Sequence, residues 1–144
     1  MSYHDLIEQL REQGEFRPAS ADDLNKLTRL GVPEEILEFY RNYEPHEFDG
    51  QVNLLSICEL LEQNEYAYPA FVAWPKGYLV FACTDCGDSY FFDLNRSKEG
   101  RVPIVLISHE IPEEVFEKGG GHMKVAEDRE DFLKKLIAND LDDE

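Results

Sequence analysis

Cys83-Thr-Asp-Cys86 is the arrangement in this chain that comes nearest to a chemical motif. A C-x-x-C can act as a redox pair or supply half of a zinc site. A redox pair belongs at a helix N-terminus behind a strand, whereas Asp85-Cys86-Gly87-Asp88 has the composition of a hairpin turn. A zinc site needs two further ligands, and Cys58, His4, His46, His109 and His122 stand at no ligand spacing. The two cysteines therefore read as small side chains flanking a tight turn, with a small metal or redox protein built on Cys83 and Cys86 as the alternative. His109-Glu-Ile-Pro-Glu113 begins like a zincin helix, but it lacks the second histidine, and Pro112 breaks the helix. Gly119-Gly-Gly-His122 has neither the following helix nor the lysine of a phosphate cradle. Asp85, Asp88 and Asp93 do not keep the spacing of a calcium loop. No Gly-x-Ser-x-Gly occurs. The expectation is a protein that is not an enzyme and has no metal or cofactor.

The aromatic residues point elsewhere. Aromatics rimmed by charge are common at protein interfaces. Tyr78 lies in an apolar run and reads as core. Tyr66 and Tyr68 lie in Asn-Glu-Tyr-Ala-Tyr-Pro, where partial exposure is expected.

The elements that would position these residues follow from the hydrophobic pattern. Leu6, Ile7 and Leu10 make a stripe over residues 3–13. Ser20 can cap a second helix carrying Leu24, Leu27 and Leu30, with Gly31 as its stop. Pro33, at a first helical position, opens a third, in which Ile36, Phe39, Tyr40 and Tyr43 recur at helical spacing and which Pro45 ends. Asp49-Gly50 marks a turn, 52–55 a short strand, and Ser56-x-x-Glu59 a capping box for a helix over 56–65. Strands are expected over 70–74, 78–83, 90–94 and 102–108, the second of them apolar on both faces and so central. The stretch 118–121 reads as a loop. A last helix starts near Asp128, with Phe132, Leu133, Leu136 and Ile137 inward, and 140–144 is a frayed acidic tail. Helices, then strands, then a closing helix make an α+β pattern with a mainly antiparallel sheet of about five strands.

Composition bounds the rest. The 144 residues suit a single domain, 1–144, able to bury about 70% of its unfolded surface without disulfides. The first ten residues lack the basic and apolar regions of a signal peptide, and three cysteines at irregular spacing are no disulfide framework. A reducing cytoplasm is the expected location. With 31 acids against 14 bases, the net charge is −17, which argues against nucleic acid and anionic membranes as direct partners and leaves a basic protein open. The acids are spread along the chain, at 12 against 5 bases in residues 1–50, 7 against 3 in 51–100 and 12 against 6 in 101–144.

Taken in order, several of these segments resemble the SUKH superfamily, which holds fungal cell-wall-signalling proteins and many bacterial immunity proteins. Leu30-Gly-Val-Pro-Glu-Glu-Ile-Leu-Glu-Phe-Tyr40 is similar to its Leu-Pro helix, and Val52-Asn-Leu-Leu-Ser56 to its strand-to-helix step. Tyr78-Leu-Val-Phe-Ala-Cys-Thr-Asp-Cys-Gly-Asp88, returning through Tyr90-Phe-Phe-Asp93, resembles its hairpin. Val125-Ala-Glu-Asp-Arg-Glu-Asp-Phe-Leu133 resembles its closing helix. The likeness spans about residues 23–138. It implies a non-enzymatic binding domain that neutralises a toxin protein, often a nuclease, by binding and masking it, and the acidic charge suits a cationic partner. A housekeeping regulatory module of the same fold is the alternative. Contacts with the partner are expected around Asp49, Tyr66, Tyr68, Trp74, Asp85 and Asp88.

Overall fold

The computed structural model describes residues 3–48, 52–85, 87–98, 101–110, 114–115 and 123–138. Its N-terminal part is helical, as the stripes require. Helix α1 (Tyr3–Leu10) buries Leu6, Ile7 and Leu10 completely. Helix α2 (Ala21–Thr28) opens on Ser20, whose hydroxyl accepts the Asp23 amide at 3.1 Å. Helix α3 (Glu34–Tyr43) buries Ile36, Phe39 and Tyr40, with Pro33 as its N-cap, one position earlier than expected. The chain does not leave structure at Pro45. It runs directly into β2 (Glu44–His46), which pairs antiparallel with β1 (Glu15–Arg17), Phe16 opposite Pro45. A proline is tolerated there because both strands of a two-stranded ribbon are edges.

The second half builds the sheet. Strand β3 (Val52–Leu54) feeds helix α4 (Ile57–Tyr66) through a complete capping box. The Ser56 hydroxyl accepts the Glu59 amide at 3.2 Å, and the Glu59 carboxylate accepts the Ser56 amide at 3.0 Å. The strand expected over 70–74 is instead helix α5 (Ala70–Ala73), continued by a 3₁₀ turn over Trp74–Lys76. Phe71 donates to the Ala67 carbonyl at 2.8 Å and Ala73 to that of Pro69 at 3.0 Å, so the backbone is satisfied locally. Pro75 lies in the first turn of the 3₁₀ segment.

Strands β4 (Tyr78–Thr84), β5 (Ser89–Asp93), β6 (Ile104–Ile107) and β7 (Met123–Ala126) complete a five-stranded sheet of order β3-β4-β5-β6-β7, antiparallel throughout. The fifth strand is thus β7 rather than 70–74. Every residue of β5 is buried, and since neighbours along a strand point to opposite faces, both faces of the sheet are covered there. Helix α6 (Arg129–Ile137), capped by Asp128, sets Phe132 edge-on against Phe81 and Tyr90 at 5.0 Å each, and Phe81 stacks on Phe92 at 4.3 Å. Arg129 joins α6 to α3, donating to the Glu35 carbonyl at 2.6 Å with its guanidinium 4.9 Å from the Phe39 ring centre. The result is the expected α+β order of N-terminal helices, antiparallel sheet and closing helix. The 118–121 stretch and the 140–144 tail lie outside the described residues. Among those described, no helix is long and apolar enough to cross a membrane.

Candidate functional site

The β4–β5 hairpin holds the first group of expected contact residues. Thr84 organises its turn, accepting the Gly87 amide on its carbonyl at 3.2 Å and the Asp88 amide on its hydroxyl at 3.2 Å. Gly87 sits at φ +96°, in the left-handed region that favours glycine. Asp85 is exposed at the tip. The Asp88 side chain does not bond within its own turn. It reaches across to the end of β6, where its Oδ1 accepts the His109 amide at 3.1 Å and lies 2.8 Å from Nδ1 of the same residue. Burial works against ionisation of Asp88, but the hydrogen bonds from His109 and Ser108 outweigh it and hold the carboxyl below its ordinary value. Asp88 is therefore committed to the fold as well as to the surface.

Tyr66, Tyr68 and Trp74 form the second group, on the consecutive segments α4, α5 and the 3₁₀ turn. Their environments differ. Tyr66, at the end of α4, is 77% exposed. Tyr68 is half-buried, packs on the core and meets Phe71 edge-on at 6.3 Å. Trp74 also packs on the core with part of its ring exposed. Trp74 and the hairpin aspartates lie beyond opposite ends of β4, whose seven residues span roughly 23 Å at the rise of a strand. The structure does not bring these residues together into one patch. Asp49 lies outside the described residues.

The described side chains considered for chemistry do not converge on a metal or redox centre. Cys83 is half-buried, and burial pushes its thiol up, with the Gln63 hydrogen bond opposing and the nearby Glu59 charge reinforcing that shift. A raised thiol is a weaker source of the thiolate that redox or metal chemistry needs. Its companion Cys86 lies outside the described residues. His46 is 2.9 Å from the Glu44 carboxylate, and His109 is taken by Asp88. Among the described residues, no group of three or more His, Cys, Asp or Glu side chains could hold a metal ion.

A feature that the linear sequence does not display lies between α2 and α4. There an open groove of about 380 Å³ is lined by Leu61, Cys58 and Tyr66, with Glu62 and Glu65 from the same helix. Asp23 and Lys26 of α2 form the facing wall. Its signal in the sequence is the spacing 58, 61, 62, 65, 66, which is a second stripe on α4 beside the buried one.

A helical N-terminal part leading into an antiparallel sheet closed by a helix, with Glu44 and His46, and Asp88 and His109, tied into structural contacts, defines an α+β domain. The SMI1 / KNR4 family model (SUKH-1) matches residues 18–135, and the chain belongs to this family. Membership carries a general protein-binding role. The matched span excludes α1, whose buried stripe nevertheless packs against α6 as part of the same core. No curated protein matches the chain.

Proposed function

We propose that this chain is an immunity-type protein of the reducing cytoplasm, which binds a cationic toxin domain, in the first instance a basic nuclease, and masks it without catalysing a reaction. The family match over residues 18–135 carries the reading. The net charge of −17 supports it, because a nuclease must hold nucleic acid and is basic for that reason, so an acidic inhibitor gains both steering and complementarity. The contact surface is proposed around Asp49, Tyr66, Tyr68, Trp74, Asp85 and Asp88. The test is affinity capture from the native cell, with the retained protein identified by mass and then co-expressed with and without this chain. A cationic protein that stops growth alone and fails to do so beside this chain is expected. If the captured protein is not toxic, the regulatory-module reading replaces this one.

A further inference from the structure

The groove between α2 and α4 has a composition that neither the core nor the hairpin explains. Cys58, Leu61, Glu62, Glu65 and Tyr66 recur at i, i+3, i+4, i+7 and i+8, so one stripe of α4 presents an apolar strip and two carboxylates together. Leu61, half-buried, and Tyr66, 77% exposed, both line the groove. Asp23 adds a third carboxylate from the opposite wall. The single cation there, Lys26, is paired with Asp22 at 3.5 Å. No ion pair among the described residues engages Asp23, Glu62 or Glu65.

We propose that this groove receives an arginine or lysine side chain from an extended cationic segment of the partner protein, an inference that rests on the protein-binding reading above. The charge balance selects the occupant. Three carboxylates facing one already paired ammonium disfavour an acidic segment and favour a cationic one. The apolar strip selects the kind of cation. The methylene stem of a long basic side chain lies along Leu61 and Cys58, and its head is placed over the Tyr66 ring and between the carboxylates. Arginine is preferred to lysine, because its planar head stacks on an aromatic face while also donating to two carboxylates.

Cys58 provides a reporter inside the groove. The full chain is alkylated with a maleimide in the presence of a nine-residue arginine peptide, a nine-residue glutamate peptide or a Gly-Ser peptide. The rate is read by mass on the fragment that carries Cys58. The arginine peptide is expected to slow alkylation about fivefold at low salt, and the other two to leave it unchanged. The double variant Glu62→Lys/Glu65→Lys should abolish the protection, and Tyr66→Ala should weaken it severalfold. Glu62→Gln/Glu65→Gln keeps side-chain size, removes the charge and should also lose protection, which guards against a helix disturbed by reversal. Glu12→Lys/Glu110→Lys changes the net charge equally at exposed positions outside the groove and should retain it. Absence of protection by the arginine peptide, protection by the glutamate peptide, or equal loss in both reversal variants would overturn the proposal, the last by showing diffuse attraction to an acidic surface. The synthetic peptide needs no toxin, so these failures bear on the groove alone. The immunity reading fails separately, on growth of the co-expressing cells.

Discussion

The Glu44 carboxylate, 3% exposed on β2, accepts the backbone amide of Ile57 at 2.8 Å and so closes the N-terminus of α4 from a separate sheet. Its other oxygen lies 2.9 Å from His46 Nε2. Ser56 and Glu59 satisfy one another's amides at the same helix end. Helix α4, which forms one wall of the groove, is therefore held at its start by three side chains, one of them from the β1–β2 ribbon.

Removing that carboxylate should be costly. Glu44→Ala leaves the Ile57 amide buried without its acceptor and withdraws an anion from the positive end of a helix, together about 2–3 kcal/mol. Glu44→Gln keeps an acceptor oxygen and should lose about half of that. Urea unfolding of the three chains checks the order wild type, Gln, Ala. An alanine variant as stable as the wild type would show that the contact contributes nothing.

Asn64 offers the opposite case. Both polar atoms of its side chain are buried on α4 with no hydrogen-bond partner among the described residues. A buried amide without partners costs roughly 1–3 kcal/mol, and leucine is the better helix former. Asn64→Leu should raise the midpoint of urea unfolding by the equivalent of about 1 kcal/mol, unless the larger shape overpacks the site. Asn64→Ala separates these effects, since it removes the amide without adding volume. A loss of stability in both variants would mean that the amide serves the fold after all.

The Asp88–His109 contact predicts a pH dependence. The folded-state carboxyl lies below its ordinary value of 3.8, so the unfolded chain takes up this proton first as the solution is acidified. The stability that Asp88 contributes is then fully present above pH 3.8 and is lost as the pH falls through the lower folded-state value. Compared with Asp88→Asn, the wild type should be more stable near neutrality, and the two denaturation curves should converge below pH 3.8. A difference that persists unchanged into that range would assign the effect to something other than ionisation.

The helices and their caps were legible in the sequence because their causes are local. Ser20, Ser56 and Asp128 each cap within three residues of themselves, and the stripe of α3 repeats over consecutive turns. The β1–β2 ribbon, α5 and β7 were not legible, the first because three-residue strands are too short for an alternation to show. Residues 70–74 carry Phe, Val and Trp, types enriched in strands, yet a four-residue helix is too short for its period to show. Strand β7 is an edge strand with Lys124 facing solvent, so it lacks the continuous apolar run that marks β4 and β6. The candidate surfaces were legible only in pieces. Asp88 and His109 are 21 residues apart, and the α2–α4 groove exists only once the two helices pack. The stripe at 58, 61, 62, 65 and 66 marks one wall of the groove but not the helix that faces it, and no local pattern links Asp88 to His109.

The three aromatic residues expected at the surface should separate by the burial each has acquired. Tyr66 is exposed at the end of α4, so Tyr66→Ala should change stability by less than about 0.5 kcal/mol while weakening attachment of a cationic partner. Tyr68 packs on the core against Phe71, and Trp74 packs on it at the head of β4, so their alanine variants should each lose about 2 kcal/mol or more. Trp74 is the only tryptophan, so its fluorescence follows unfolding in the wild type and in the tyrosine variants, and circular dichroism serves for Trp74→Ala. Tyr66 is thereby the one member of the set whose removal tests binding without first testing the fold. If Tyr66→Ala proves as unstable as Tyr68→Ala, the ring is held by the helix and its exposure is not available to a partner.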